Sequence, residues 1–157
     1  MTKKRSALLI CIAVPVLTGV LSAWLTRGGM AEYAALKKPP FSPPGWVFPV
    51  VWTILYILMG IASFLVLSRG KENPKVREGL FFYLLQLCAN FLWSFFFFSR
   101  KWYLFSFFWI VLLWILIGKT ILEFRKVSAR AAFLMLPYLL WVTFAGILNL
   151  AIARMAI

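Results

Sequence analysis

The sequence predicts an all-α integral membrane protein that folds as a bundle of five transmembrane helices. Hydrophobic residues make up 64% of its 157 residues and charged residues only 13%, whereas about a quarter of a soluble domain is charged. Five apolar stretches are long enough to cross a bilayer, which takes roughly 20 helical residues. A chain of this length has room for one such bundle, so we expect residues 1–157 to form a single membrane domain.

The first predicted span follows Lys3-Lys4-Arg5, a start that a signal peptide would share. Its apolar run is long for a signal peptide and no A-x-A cleavage site follows, so we predict a membrane helix. The connections between spans are short except for residues 27–45, which we name the lid loop because it can fold over one end of the bundle. The five predicted spans are Ser6–Thr26, Trp46–Leu67, Leu80–Phe98, Trp102–Phe124 and Ala131–Arg154.

Prolines stiffen the lid loop and the start of the second span. Five of the eight prolines lie between Lys38 and Tyr56. Because proline fixes φ and has no N–H to donate, an ordinary helix cannot start before Pro44. A stiff lead-in of this kind favours a lid that stays in one place.

Basic residues lie between the apolar stretches and give a net charge of +13. They do not form a patch interleaved with aromatic residues, so they indicate contacts with anionic membrane lipid at the headgroup level and no nucleic-acid partner. Eleven lie on the side of the N-terminus and six on the other side, which predicts that the N-terminus is inside the cell. The two groups are Lys3, Lys4, Arg5, Arg69, Lys71, Lys75, Arg77, Lys119, Arg125, Lys126 and Arg130, and Arg27, Lys37, Lys38, Arg100, Lys101 and Arg154.

The composition leaves few residues for catalysis. Histidine is absent, and the acidic residues are Glu32, Glu72, Glu78 and Glu123. The sequence therefore has no paired carboxylates, His/Cys metal cluster, Ser/His/Asp set or phosphate-binding glycine loop, and we expect no metal and no required cofactor. Cys11 and Cys88 fall inside apolar runs, where a free cysteine usually packs as a small hydrophobic residue.

The interiors of the predicted helices carry neutral polar and aromatic residues at helical spacing. The helix interiors carry no charged residue, and Lys119 and Glu123 lie near the end of the fourth span. The absence of charge argues against an ion-coupled pump or a charged channel filter. The stripes that share a helix face are Trp52, Tyr56 and Ser63; Gln86, Asn90, Trp93 and Phe97; and Pro137, Trp141, Ala145 and Asn149. Two interpretations remain open: hydrogen bonding between helices, or the lining of a pocket for a flat ligand.

The tryptophans fall into two groups by position. Trp52, Trp93 and Trp141 lie about two turns or more inside their spans, beside amide residues, and favour the aromatic pocket. The others considered lie at the ends of spans and are typical of anchors at the membrane interface: Trp24, Trp46 and Trp102.

Four stretches in fixed order form a set of motifs that covers nearly the whole chain. They are Tyr33-Ala34-Ala35-Leu36-Lys37-Lys38-Pro39 with Pro43-Pro44-x-Trp46; Val51-Trp52-Thr53-Ile54-Leu55-Tyr56-x-x-Met59-Gly60; Gln86-x-x-x-Asn90-x-x-Trp93-Ser94-x-x-Phe97-Phe98; and Pro137-Tyr138-x-x-Trp141-x-x-Phe144-Ala145-x-x-Leu148-Asn149. This set resembles the tryptophan-rich sensory protein/translocator protein (TspO) family, once called peripheral benzodiazepine receptors.

The resemblance implies a compact five-helix bundle, commonly a homodimer, with a pocket that the lid loop closes. It implies binding of tetrapyrroles such as protoporphyrin IX, and of isoquinoline-carboxamide and benzodiazepine-type ligands. Bacterial members are linked to tetrapyrrole handling, stress and light-dependent degradation of protoporphyrin, so a bacterial cell membrane is the expected location. By position, Trp52 and Trp141 match the pocket tryptophans tied to that photochemistry. The other expected ligand-binding residues are Tyr56, Gln86, Asn90, Trp93, Ala145 and, in the lid loop, Phe41, Pro43 and Pro44.

The sequence departs from the family pattern at three places. Phe41 stands where many members have tryptophan, which keeps an aromatic wall and loses an N–H. Trp109 replaces an acid of the fourth helix, so no role of that acid is expected here. The sterol-recognition pattern lacks its central tyrosine in residues 148–154, and such patterns are weak even when intact.

Three functions follow from these observations. The first is a membrane receptor or carrier for porphyrin, with a role in transport or stress sensing. The second is light- and oxygen-dependent porphyrin degradation, in which the ligand's photochemistry and oxidation of Trp52 and Trp141 replace acid–base catalysis. The third is an interaction protein that modulates a partner.

Overall fold

The computed structural model describes residues 2–157, and within that range it contains α-helices and no strand. Five of the helices are long and apolar enough to cross a membrane, which confirms the predicted all-α five-helix membrane bundle. A π-helical turn, Phe95–Ser99, prolongs the fourth helix. The helices are α1 (Thr2–Leu25), α2 (Gly29–Ala35), α3 (Val47–Leu67), α4 (Pro74–Ser94), α5 (Tyr103–Arg125) and α6 (Ala129–Ala156).

Capping residues place two helix starts outside the apolar stretches that mark the spans. α4 begins at Pro74, ahead of the expected Leu80, because the Asn73 side chain accepts a hydrogen bond from the Lys75 N–H at 3.0 Å and proline suits the first helical position. α6 begins at Ala129, where Ser128 Oγ accepts the Ala131 N–H at 3.3 Å. Hydropathy therefore locates the membrane segment, while the caps locate the helix ends.

The lid loop contains the short helix α2, which the sequence analysis did not predict. Its alanine-rich sequence favours helix, and Lys38 caps its C-terminal end. The Lys38 ammonium donates to the carbonyl oxygens of Tyr33 at 2.7 Å and Ala34 at 3.1 Å, where a cation also complements the helix dipole. From Lys37 to Gly45 the loop is not helical.

The five long helices form a ring in the order α1, α3, α6, α5 and α4. α1 packs mainly on α3 and only lightly on α4. The α1–α3 crossing is close because Gly60 has no side chain: a Cβ there would lie 2.5 Å from the Cα of Ile12. Small residues at helix crossings allow this approach in membrane proteins.

Aromatic and basic side chains mark the end of the bundle that carries the lid loop. The Arg27 guanidinium lies 4.8 Å from the Trp24 ring, and that of Arg100 lies 4.9 Å from the Trp102 ring. Both tryptophans are exposed, and so is Trp46. Such pairs combine cation–π attraction with the interfacial preference of the indole.

The opposite end of the bundle holds an ion-pair cluster around Glu123. Its carboxylate is 1% exposed, and Oε1 accepts from Lys119 at 2.8 Å and from Lys126 at 3.0 Å. The expected pairing of Lys119 with Glu123 is therefore present, with Lys126 as a second donor. Both cysteines are free; Cys11 is half-buried, and Cys88 is exposed on the surface of the bundle.

Candidate functional site

A cavity of about 250 Å³ lies between α1, α3, the end of α4 and the lid loop. α1 and α3 supply most of its wall, Met30 comes from α2, and Phe98 comes from the π-helical turn. The exposed members of the lining belong to α1 and α3, so the cavity opens between these two helices: Val20, Ala23, Pro49 and Thr53. Its volume lies just below the roughly 300–1,000 Å³ of pockets for drug-sized ligands.

Two of the predicted site residues, Trp52 and Tyr56, line this cavity. They lie one turn apart on α3, and their rings stack with centroids 5.6 Å apart at an angle of 28°. Gly19 of α1 faces the Tyr56 ring, and a Cβ at Gly19 would overlap that ring. Glycine at this position therefore allows Tyr56 to lie against α1.

Tyr56 connects the cavity wall to a buried network of amide and tyrosine side chains. Its hydroxyl donates to Asn90 Oδ1 at 3.1 Å, and Asn90 Nδ2 donates to the Tyr138 hydroxyl at 2.7 Å. Tyr138 in turn donates to Gln86 Oε1 at 2.7 Å, and Gln86 Nε2 lies 3.9 Å from the Met59 sulfur. Because a satisfied polar network in a low-dielectric core restrains its members, this one fixes the position of the Tyr56 ring.

The structure thus places Asn90 and Gln86 behind the cavity wall and not in it. Tyr138 is the centre of the network, although the sequence analysis named it only as part of a motif. The signal for its role was a tyrosine in the middle of a membrane helix, because a buried phenol usually finds a hydrogen-bond partner. Its ring also meets Trp52 edge to face, with centroids 6.0 Å apart.

Trp93 and Asn149 join α4, α5 and α6 away from the cavity. Trp93 Nε1 donates to Asn149 Oδ1 at 3.0 Å, and Asn149 Nδ2 donates to the Tyr103 carbonyl at 2.7 Å. The Trp93 ring is 4% exposed and stacks on Phe97. Ala145 is also buried in the core. For Trp93 this geometry corresponds to the interpretation as hydrogen bonding between helices.

Trp141 lies at a second concavity of about 430 Å³ between α3 and α6. Phe48 separates the two sites: it lines the first cavity, and its ring lies 5.9 Å from that of Trp141. From the lid loop, Phe41 meets Phe144 at the second concavity with centroids 6.3 Å apart. The structure therefore does not bring Trp52 and Trp141 into one cavity. Pro43 and Pro44 line neither of the two.

Tyr33 seats the lid loop on the cavity wall. It is 3% exposed, which raises the pKa of its phenol, and its ring meets Phe48 at 5.2 Å and Phe98 at 6.3 Å, both edge to face. Gly29 packs so closely on the π-helical turn that a Cβ there would lie 2.6 Å from the Phe98 carbonyl oxygen. α2 thus rests on residues that also line the cavity.

A half-exposed ion pair adds to this contact at the surface. Lys101 Nζ lies 2.9 Å from Glu32 Oε2, and this hydrogen bond raises the pKa of the Lys101 ammonium. Lys101 itself has a positive φ of 56° in the turn between α4 and α5. Because exposed ion pairs contribute little stability, the buried contacts of Gly29 and Tyr33 dominate the seating of the lid loop.

The fold and the site define a multi-pass helical membrane protein with an aromatic-walled cavity under a helical lid. The TspO/MBR family model matches residues 11–155, and the chain belongs to that family. It is 40% identical over 156 residues to the tryptophan-rich protein TspO of Chlorobaculum tepidum, covering 99% of both chains.

Two further relatives broaden the comparison. The translocator protein of Bos taurus is 36% identical over 138 residues, covering 87% of this chain and 82% of the bovine protein. The tryptophan-rich sensory protein of Cereibacter sphaeroides is 35% identical over 123 residues, covering 78% and 75%.

Proposed function

We propose that the protein is a membrane receptor or carrier for tetrapyrroles such as protoporphyrin IX, which bind beside Trp52. The observation that carries this proposal is the Trp52–Tyr56 stack in the wall of an uncharged cavity between membrane helices. Indole and phenol faces suit a flat π system. The names of relatives, a translocator and a sensory protein, support a receptor or carrier role.

The volume of the cavity constrains how such a ligand enters. At about 250 Å³ it accepts one edge of a macrocycle, so the opening between α1 and α3 widens, or the lid loop lifts, when the whole ring binds. The opening lies between two helices that are long and apolar enough to cross a membrane. A ligand dissolved in the membrane would therefore enter the cavity sideways, between α1 and α3.

A binding titration with two tryptophan variants tests the proposal. We expect Trp52→Ala to weaken protoporphyrin IX binding by about 1–3 kcal/mol because stacking and apolar burial are lost. Binding is followed by the porphyrin absorbance, so the loss of an indole does not alter the signal. Trp24→Ala, at an exposed position outside the cavity, should bind like the parent. Equal losses in both variants would point to general destabilisation, and Trp141→Ala shows whether the second concavity shares the ligand.

Light-dependent degradation of the porphyrin is the second candidate function, favoured by the oxidisable indole in the cavity wall. We expect the illuminated protein to convert protoporphyrin faster than detergent alone, with oxygen required and no conversion in the dark. Trp52→Phe should retain most of the binding and lose most of the conversion, since phenylalanine is far harder to oxidise. Equal conversion by Trp52→Phe and the parent at matched occupancy would leave binding as the only function.

We also propose that the protein lies in a bacterial cell membrane with its N-terminus on the cytoplasmic side. We further propose that it forms a homodimer. The excess of basic residues on the N-terminal side supports the orientation, and an odd number of spans puts the C-terminus outside. Protease access to tags at the two ends checks the orientation. Light scattering in detergent checks the dimer. A protein that binds no porphyrin would favour the role as an interaction protein.

A further inference from the structure

Two lysine ammoniums converge on a single carboxylate oxygen at the end of the bundle opposite the lid loop. Glu123 Oε1 accepts from Lys119 at 2.8 Å and from Lys126 at 3.0 Å. The other oxygen, Oε2, is enclosed by protein and has no hydrogen-bond partner within residues 2–157. The two ammoniums therefore lie close together, because both contact the same atom.

One carboxylate cannot neutralise two ammoniums, so this cluster keeps a positive charge. The side chains of Lys119 and Lys126 are 42% and 52% exposed, whereas that of Glu123 is buried. An ammonium has three N–H donors, and the hydrogen bond to Glu123 uses one on each lysine. The remaining donors can bond an anion that offers several oxygens, as a phosphate group does.

Apolar surface continues from the ammoniums towards the middle of the membrane helices. Lys119 Nζ lies 5.3 Å from the centre of the Phe82 ring on α4. Ile115, one turn further into α5, is 55% exposed, and Leu122 and Phe81 are exposed as well. A soluble anion would contact only the ammoniums, whereas a phospholipid would also cover this apolar surface with its chains. The surface therefore favours a lipid.

Positive charge is in excess at this end of α4 and α5. Residues 74–82 and 115–130, which include both lysines, contain six basic and two acidic residues. The two segments pack together, since a Cβ at Gly79 would lie 3.1 Å from the Phe124 ring. Basic pockets between membrane helices bind anionic headgroups, so the charge favours a headgroup that is negative overall.

We propose that Lys119, Lys126 and the Phe82 ring form a binding site for the phosphate headgroup of an anionic phospholipid. The phosphate bridges the two ammoniums, and the acyl chains lie over Ile115 and its exposed neighbours. Glu123 holds the ammoniums in place and competes with the phosphate for their protons. Whereas the basic residues as a group indicate headgroup contacts, this geometry assigns one phosphate to one pair of lysines. The site is remote from the cavity and does not rest on its function.

Two lipids with identical chains test the site. Phosphatidylglycerol carries the phosphate, and diacylglycerol lacks it. Native mass spectrometry of the full-length protein, released from detergent, gives the affinity for each. We expect the parent to prefer phosphatidylglycerol, and Lys119→Gln or Lys126→Gln to reduce that preference roughly five-fold, the contribution of one lysine at a membrane surface. Lys126→Arg retains the charge and should retain most of the preference.

Glu123→Gln separates lipid binding from a merely structural role. It removes the charge that competes with the phosphate, so the preference for phosphatidylglycerol should rise several-fold even if the protein becomes less stable. Damage to the fold would lower lipid binding and could not raise it. Lys101→Gln is the control at the opposite end, where Lys101 forms an exposed ion pair with Glu32, and it should bind both lipids like the parent.

The proposal is wrong if the two glutamine variants of the lysines keep the parent's preference, or if Glu123→Gln lowers the preference as they do. It is also wrong if Lys101→Gln lowers the preference equally, because the effect would then be one of net charge alone. Inorganic phosphate is added as a competitor. Displacement of phosphatidylglycerol by an equal concentration of inorganic phosphate would identify a site for a soluble anion and overturn the assignment to a lipid.

Discussion

The Tyr138 hydroxyl joins two helices through hydrogen bonds to the amides of Asn90 and Gln86, each 2.7 Å long. Phenylalanine at this position would leave Asn90 Nδ2 and Gln86 Oε1 buried without their Tyr138 partner. Because each unpaired group costs about 1–3 kcal/mol, we expect Tyr138→Phe to lower the free energy of unfolding by about 2–6 kcal/mol. Denaturation with SDS, followed by circular dichroism, measures this loss.

Tyr83→Phe is the matched control for that substitution. The Tyr83 hydroxyl is also buried, but it has no hydrogen-bond partner within residues 2–157. Its removal should leave the stability unchanged or slightly raised, because no bond is lost. Similar destabilisation by both substitutions would mean that the hydroxyl network around Tyr138 contributes nothing specific.

Helical spacing correctly places Gln86 and Asn90 on one face, and the structure shows both bonded to Tyr138. What spacing along one helix cannot reveal is which neighbouring helix that face meets. For this reason the sequence predicted Trp52 and Trp141 in one pocket, whereas the structure places them at two separate concavities. The close approach at Gly19, which needs a contact between α1 and α3, could not be read from either helix alone.

α2 depends on contacts with the π-helical turn, and Gly29 makes the closest of them. The side chain of Gly29→Ala would meet the Phe98 backbone, which cannot rotate away. We therefore expect this variant to loosen α2 from the bundle and to speed hydrogen exchange of amides in residues 29–36 at least several-fold. Mass spectrometry of the exchanged protein measures the rates.

Gly28→Ala tests whether that effect comes from the contact. A Cβ at Gly28 would have no atom within 4 Å, so exchange in α2 should match the parent. If both alanine variants exchange alike, the seating of α2 on Phe98 is not what orders the lid loop.

Prolines predicted the non-helical part of the lid loop, since their missing N–H groups and fixed φ act locally. α2 could not be predicted in the same way. With seven residues it is too short to be stable alone, and its order comes from Tyr33 and Gly29 meeting distant side chains. Hydropathy predicted the five spans because, like the effect of a proline, it depends on the local segment alone and needs no contact with distant residues.

The closeness of α1 to the rest of the bundle depends on Gly60. In Gly60→Ala the new methyl would meet backbone atoms of Ile12 and Cys11, so α1 would have to move away. Overpacking of this kind costs about 1–3 kcal/mol, and we expect a lower temperature of unfolding together with weaker ligand binding, since α1 forms a cavity wall.

Gly118→Ala provides the comparison on another helix. A Cβ at Gly118 would have no atom within 4 Å, and alanine favours helix by up to about 1 kcal/mol. The unfolding temperature of this variant should equal or exceed that of the parent. A loss as large as that of Gly60→Ala would show that any glycine replacement harms the bundle.

Phe98 belongs to two structures at once, because it lines the cavity and also supports Tyr33 and Gly29 of the lid loop. Thermodynamic linkage then makes ligand binding in the cavity and loosening of α2 affect each other reciprocally. If a ligand displaces Phe98 and loosens α2 by some factor, the loosened state binds that ligand more tightly than the closed state by the same factor. Exchange rates of α2 with and without ligand give this factor, and Gly29→Ala, which favours the loosened state, should raise the affinity for that ligand by no more than this factor.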